Sequence, residues 1–358
     1  MSALCTCVDN SNKDLMKVIL STHFSTTKIT EFQKESLHIL RRAVSKGSVD
    51  LFELLLKHSD WDFLVNGTAA GVECRSGSVK SLLGTAVDAG STAITEMLLL
   101  LVQESLVNDS YRGKPLLHLA LQQGHAHLAK RLVHLGADVN ITDAKMESPL
   151  FAALSSNMKE SEKNHIVRWL IKQGADISHT SSSGKQPIHT AAGHFPLAII
   201  PLSEAGCDVN TREATQANTP LHVACSRADM LSISYLIRHG ARVNCTNSLG
   251  QTPLNKLLEH ACNHHDFHAK TRRSMAKVLI ANGFSLSPSE RKSPRNGRDK
   301  VEQLYRHLRG QQRHVPTLQG MCWLQVRSHL PGVHFERSVA SLDIPKHLQV
   351  YLQCPQSF

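Results

Sequence analysis

Metal chemistry is the first candidate. The stretch "CNHHDFH" brings Cys262, His264, His265 and His268 together. On a helix, His264 and His268 would share one face, a spacing that some zinc sites use. The chain holds 22 histidines, so clusters arise from composition alone, and no second ligand pair stands at an accepted distance. The stretch therefore reads as an exposed, histidine-rich insertion without a metal. Nucleophilic catalysis would need a Ser, Cys or Thr on a strained turn beside a base. There is no GxSxG, no phosphate-binding loop and no Gly-rich turn between strand and helix. The expectation is a chain that is not an enzyme and carries no cofactor. The nine cysteines are scattered and form no CxxC pair, as free thiols in an intracellular protein would be.

Charge offers a second chemistry. The net charge is +10, which invites a nucleic-acid partner. Residues 287–314 alone hold eight Lys/Arg and three Asp/Glu, a net of +5, which is half of that total. The charge thus belongs largely to a basic connector, and no basic-aromatic reader motif accompanies it. The reading excludes nucleic acid. It also excludes a membrane: the longest apolar run is Met97 to Val102, far short of the ~20 residues that span a bilayer. The opening "MSALCTCVDNSNKDL" lacks the basic and apolar regions of a secretory leader. The expected location is the cytoplasm, with the nucleus also open to it.

The elements that could position a binding surface are repeats. The segments "GKPLLHLALQQGHAHLAKRLVHLGADVN" (113–140), "KQPIHTAAGHFPLAIIPLSEAGCDVN" (185–210) and "NTPLHVACSRADMLSISYLIRHGARVN" (218–244) align with one another. A fourth, split segment reads "ESPLFAAL" and "IVRWLIKQGADI" within 147–177. Proline recurs at 115, 149, 187, 220 and 253, and glycine at 136, 174, 206, 240 and 283. Thr219 or Thr252 caps a helix, and Pro220 or Pro253 follows where its missing N–H costs nothing. His118, His189 and His222 sit one turn in, placed to bridge to neighbouring backbone. Ala120, Ala191 and Ala224 let helices approach closely. Glycine then ends the second helix, and the "ADVN" segment turns outward as a short hairpin. Insertions at 155–165 and 259–274 lengthen two units.

This T-P-L-H-x-A pattern resembles the ankyrin repeat. The resemblance implies an all-α solenoid of helix pairs with β-hairpin loops, which works by presenting a concave surface to another protein. We expect an N-terminal segment at 1–34 and about seven repeats over 35–286. The first two repeats are degenerate, at 37–58 and 82–103.

Beyond the connector at 287–314, the periodicity changes. Leu318, Met321, Cys322 and Val326 share one helix face, with "PT" to start the helix and "PG" at 331–332 to stop it. A second start comes at Asp343 and Pro345, and Leu348, Tyr351 and Leu352 share a face. On periodicity alone these are helices capping the array, which would leave a non-catalytic ankyrin scaffold. The residue pattern resembles a SOCS box, a small three-helix element, here at 315–354. In that family a small residue and Leu are followed, at fixed spacing, by Cys and an aliphatic residue; Thr317, Leu318, Cys322 and Val326 match. The resemblance implies that Thr317, Leu318, Met321, Cys322 and Val326 bind elongin C, with elongin B as its companion. It implies that Leu342, Ile344, Pro345, Leu348, Tyr351 and Leu352 bind a cullin, usually the fifth member of that family, with its RING protein. Asp343 departs from the pattern, which has proline there, and this bears on the cullin step alone.

The combined architecture is similar to the ankyrin repeat and SOCS box family, whose members are substrate receptors of ubiquitin ligases. The substrate itself is not implied. Resemblance to other ankyrin proteins further implies that Asn140, Asn210 and Asn244 could accept a β-hydroxyl, although asparagine also simply suits these turns.

Overall fold

The computed structural model describes residues 6, 8–10, 12–23, 38–58, 77–101, 106–257, 269–282, 284 and 346. The chain divides into two compact units, 1–162 and 163–358. The described residues are mostly helical, and their only sheet is one two-residue ribbon. No helix among them is long and apolar enough to cross a membrane.

In the first unit, helix α1 (Lys13–His23) packs on α2 (Val49–His58), and residues 38–45 are helical between them. Val8 and Met16 are fully buried, so part of the expected N-terminal segment is docked on the fold. Two exposed ion pairs border this contact, Lys13 with Asp50 at 2.8 Å and Arg42 with Asp9 at 2.6 Å. Pairs this exposed add little; the apolar residues hold the helix. Then come α3 (Gly77–Asp88), α4 (Thr92–Leu101), the ribbon β1 (Ser110–Tyr111) with β2 (Lys114–Pro115), α5 (Leu116–Gln123), α6 (Ala126–His134) and α7 (Pro149–Ser155). In the ribbon, Ser110 opposes Pro115 and Tyr111 opposes Lys114. Arg112 and Gly113 both take positive φ, 53° and 77°, which is the mirror-image turn that fits strand twist.

Helix α8 (Glu160–Lys172) runs across the boundary between the units. The second unit continues with α9 (Pro187–His194), a short 3-10 turn at Pro196–Ala198, α10 (Ile199–Glu204), α11 (Pro220–Ser226), α12 (Met230–Arg238) and α13 (Ala269–Ala281). Residues 253–257 are helical ahead of α13. Most of these helices have fewer than eleven residues, too short to persist alone in water. Packing makes them stable: α9 lies against α11, and α11 against α12. Alanines 191, 192 and 224 are buried at these contacts, where small side chains let backbones approach.

The repeat glycines end helices as the sequence predicts. Gly136, Gly174, Gly206 and Gly240 hold φ between 88° and 101°. The residue after each donates to a carbonyl five positions back, as in Ala137 to Leu132 at 2.9 Å and Ala241 to Leu236 at 2.9 Å. The outward hairpins differ from expectation. Among the described residues, strands pair only at 110–115. The later fingers are single closed turns: Asp143 N–H meets Glu147 O at 3.1 Å, Ser181 meets Lys185 at 2.9 Å, and Asn247 meets Gln251 at 2.9 Å. A side chain at the first position closes each turn from within. Asp143 Oδ1 accepts from Glu147 N–H at 3.0 Å and Asn247 Oδ1 from Gln251 N–H at 2.9 Å, so no ladder is needed.

Candidate protein-binding surface

The repeat motif is built around its histidine. In the second unit, Thr219 caps α11 and its backbone N–H donates to His222 Nδ1 at 3.1 Å. The Thr219 hydroxyl lies 2.8 Å from the same nitrogen. His222 Nε2 then donates to the Gln251 carbonyl, 29 residues on, at 3.0 Å. A carbonyl partner requires the proton on Nε2, and a backbone N–H partner requires a lone pair on Nδ1. One neutral tautomer satisfies both. His189 repeats the arrangement, with Gln186 N–H at 3.2 Å on Nδ1 and the Asn218 carbonyl at 3.2 Å from Nε2. Burial pushes both imidazoles below the ordinary histidine value. The histidines are thus repeat-to-repeat ties, with both ring nitrogens used by backbone.

His118 in the first unit departs from this. Its Nε2 donates to the Glu147 carbonyl at 2.7 Å, yet its buried Nδ1 has no partner. The cause is one residue of register. The motif here reads "KPLLH", so Pro115, not threonine, occupies the cap position three residues before the histidine. Proline has no N–H to give. The next motif, "SPLF", puts Phe151 at the histidine position, and the buried hydroxyl of its cap, Ser148, has no partner.

A second set of ties lies at the turns. Asp138, Asp176 and Asp208 each accept, through Oδ1, the N–H two residues on, at 2.8–2.9 Å. Asn210 Nδ2 donates to the Gly240 carbonyl at 3.1 Å and its Oδ1 accepts the Arg242 N–H at 2.8 Å. Asn108 makes the same pair of bonds, to Gly136 O at 3.3 Å and from Asp138 N–H at 2.8 Å. Asn108 lies outside the segments aligned by sequence, and only its separation of about one repeat from Gly136 could have marked it. Of the other two turn asparagines, Asn140 and Asn244 are exposed, while Asn210 is half-buried.

What remains outward is a surface for contact. The turns present exposed Met146 and Leu249, the latter 64% exposed. Arg131 pairs with Glu96 at 2.8 Å on the second helices of the first unit, and Arg168 with Glu204 at 3.1 Å in the second unit. Cys207 and Cys225 are inert packing: burial pushes the Cys207 thiol up to about 12 and the Cys225 thiol higher still. Cys262, His264, His265 and His268 lie outside the described residues, as does Gly283. So do the expected partner-binding positions from Thr317 to Val326 and from Leu342 to Leu352.

Family comparison agrees with this geometry. A model described as "Ankyrin repeats (3 copies)" matches residues 40–143 and 117–213, and one described as "Ankyrin repeat" matches 217–248. A third, described as "SOCS box", matches 314–353. The chain belongs to the ankyrin repeat and SOCS box family. Among members of that family, Ankyrin repeat and SOCS box protein 16 of Mus musculus is 25% identical over 199 residues, covering 45% of this chain and 44% of that protein. Ankyrin repeat and SOCS box protein 6 of Homo sapiens is 24% identical over 260 residues, covering 62% of this chain and 61% of that protein. The B-cell lymphoma 3 protein homolog of Mus musculus is 31% identical over 120 residues, 33% of this chain and 25% of its own length. The chain spans less than two thirds of the length of each of these curated relatives.

Proposed function

We propose that this protein is a substrate receptor of a cullin-RING ubiquitin ligase. One observation carries the reading: a single chain joins an array of ankyrin repeats to a SOCS box at 314–353. The array would occupy 35–286 after an N-terminal segment at 1–34. A basic connector at 287–314 would lead to the box at 315–354. In this reading Leu318 enters an apolar pocket on elongin C, and Met321, Cys322 and Val326 pack around it on one helix face, with Thr317 at its start. An uncharged thiol suits such a contact because it behaves as a small hydrophobe. Leu342, Ile344, Pro345, Leu348, Tyr351 and Leu352 form the cullin-facing element, and Asp343 weakens or redirects that step.

The chain itself then catalyses nothing. It holds a target protein near the charged conjugating enzyme, which raises the effective concentration of a target lysine. The test exchanges Leu318→Asp and Cys322→Asp together and asks whether elongin B and elongin C still co-purify with the chain. Loss of both, with the repeats still folded by circular dichroism, supports the receptor. Undiminished recovery overturns it and leaves an ankyrin scaffold whose last helices cap the array.

The turn asparagines Asn140, Asn210 and Asn244 suit their turns unmodified, and they are also the candidate hydroxylation positions that resemblance to other ankyrin proteins offers. An oxygen-dependent hydroxylase would add one oxygen at Cβ, read as that mass gain on the corresponding peptides.

A further inference from the structure

The ribbon of the first unit carries an arginine where its backbone disfavours one. Arg112 takes φ 53° at the first central residue of the turn between β1 and β2. That position suits glycine, asparagine or aspartate, and a long side chain there is strained. The side chain is exposed, and its guanidinium stands over the Tyr111 ring, 5.0 Å from the ring centre.

A glycine positions the ring. Strand β1 lies against α3, and a Cβ on Gly84 would overlap Tyr111 Cγ. Any other residue at 84 would displace the ring, and the arginine with it. Lys114 lies directly across the ribbon from Tyr111, so the two side chains leave the same face. Gln122 of α5 holds the Lys114 ammonium at 2.6 Å through its Oε1, a neutral partner. A strained turn, a glycine cradle and a neutral tether thus set two cations beside one aromatic ring.

No described acid answers them. Among the described residues, neither Arg112 nor Lys114 takes part in an ion pair. Asp109, at the foot of the ribbon, pairs with Lys80 at 2.9 Å. Asp88 accepts from Gln123 at 3.1 Å, and Asp138 and Asp143 close their own turns.

We propose that Arg112 and Lys114 form a carboxylate-binding site that docks an acidic segment of the captured protein. A guanidinium laid over a ring keeps its N–H edges free, and its fork takes both oxygens of one carboxylate. Lys114 takes a neighbouring carboxylate as a point charge. Tyr111 and Gly84 are positioning residues. This deepens the receptor reading and rests on it for the meaning of the captured segment.

The test is fluorescence anisotropy on the full chain with a labelled peptide that alternates pairs of glutamate with glycine and serine. Saturable binding is expected, weakened about tenfold in Arg112→Asn. That variant makes the turn Asn-Gly, the pair this turn type favours, so it should unfold at no lower temperature than the unmodified chain. Tyr111→Leu keeps every charge and should weaken binding about threefold by freeing the fork. Lys57→Gln removes an exposed cation from α2 of the same unit and should leave affinity within about twofold.

Undiminished binding in Arg112→Asn or Tyr111→Leu overturns the proposal, as does an equal loss in Lys57→Gln or no saturable binding by the unmodified chain. Equally strong competition by a single-stranded RNA oligonucleotide overturns it too, by making the site a general polyanion surface. Should Tyr111→Leu unfold by circular dichroism, Arg112→Lys replaces it: the charge stays, the planar fork goes, and undiminished binding there overturns the proposal equally. Co-elution with elongin B and elongin C separates the two ideas. Arg112→Asn that loses the peptide and keeps the elongins supports the site and leaves the receptor standing; an unmodified chain that binds the peptide but no elongins sinks the receptor alone.

Discussion

His222 and His118 occupy the same place in two repeats and live differently. His222 ties its own cap and the following repeat through both ring nitrogens. His118 ties only the following repeat, and its other nitrogen is buried without a partner. A single extra residue between proline and histidine makes the difference, because it moves Pro115 onto the cap. A repeat signature therefore describes a hydrogen-bond circuit, and one register step opens that circuit while leaving the helix in place.

The largest test of this contrast removes the rings. His222→Ala strands a cap N–H and a carbonyl and opens a void, at a cost of roughly 3 kcal/mol. His118→Ala strands only a carbonyl and removes an orphan, at roughly half that cost. Local stability by amide hydrogen exchange in each unit reads both; equal losses would break the comparison.

Acid comes next. His118, His189 and His222 all have pKa values lowered by burial from an ordinary 6.5. The unfolded chain therefore binds more protons than the folded one just below that value. Stability contributed by these rings is full above about pH 6.5 and is lost as pH falls toward their folded values. Urea midpoints measured from about pH 7.5 to 5.5 should decline, with proton uptake on unfolding. A flat profile would show that the rings ionise freely in place.

The turn bridges give a smaller effect that should not distinguish the units. Asn108→Ala and Asn210→Ala each remove two backbone bonds, costing about 1–2 kcal/mol apiece. Unequal losses would mean that the open circuit at His118 has loosened its whole repeat. The smallest effect is a repair. Pro115→Thr supplies the missing N–H, offset by the flexibility that proline had removed from the unfolded chain. We expect a net gain of about 1 kcal/mol or less in thermal unfolding, and a loss would show that proline's rigidity outweighs the bond.

The helix pairs were legible because spacing and chemistry agreed: proline to start, alanine to approach, glycine with positive φ to stop. The histidine ties followed from their place one turn into the helix. The orphan at His118 was hidden, since aligning the prolines of "KPLLH" and "NTPLH" conceals which residue becomes the cap. The missing strand ladders were hidden too, because an asparagine or aspartate that closes a turn from within looks the same in sequence as one at a hairpin tip.

The measurement that bears most directly on the central claim is size-exclusion co-elution of the unmodified full chain with elongin B and elongin C. One stable ternary peak at equal stoichiometry is expected. A folded chain that elutes apart from both elongins would contradict it.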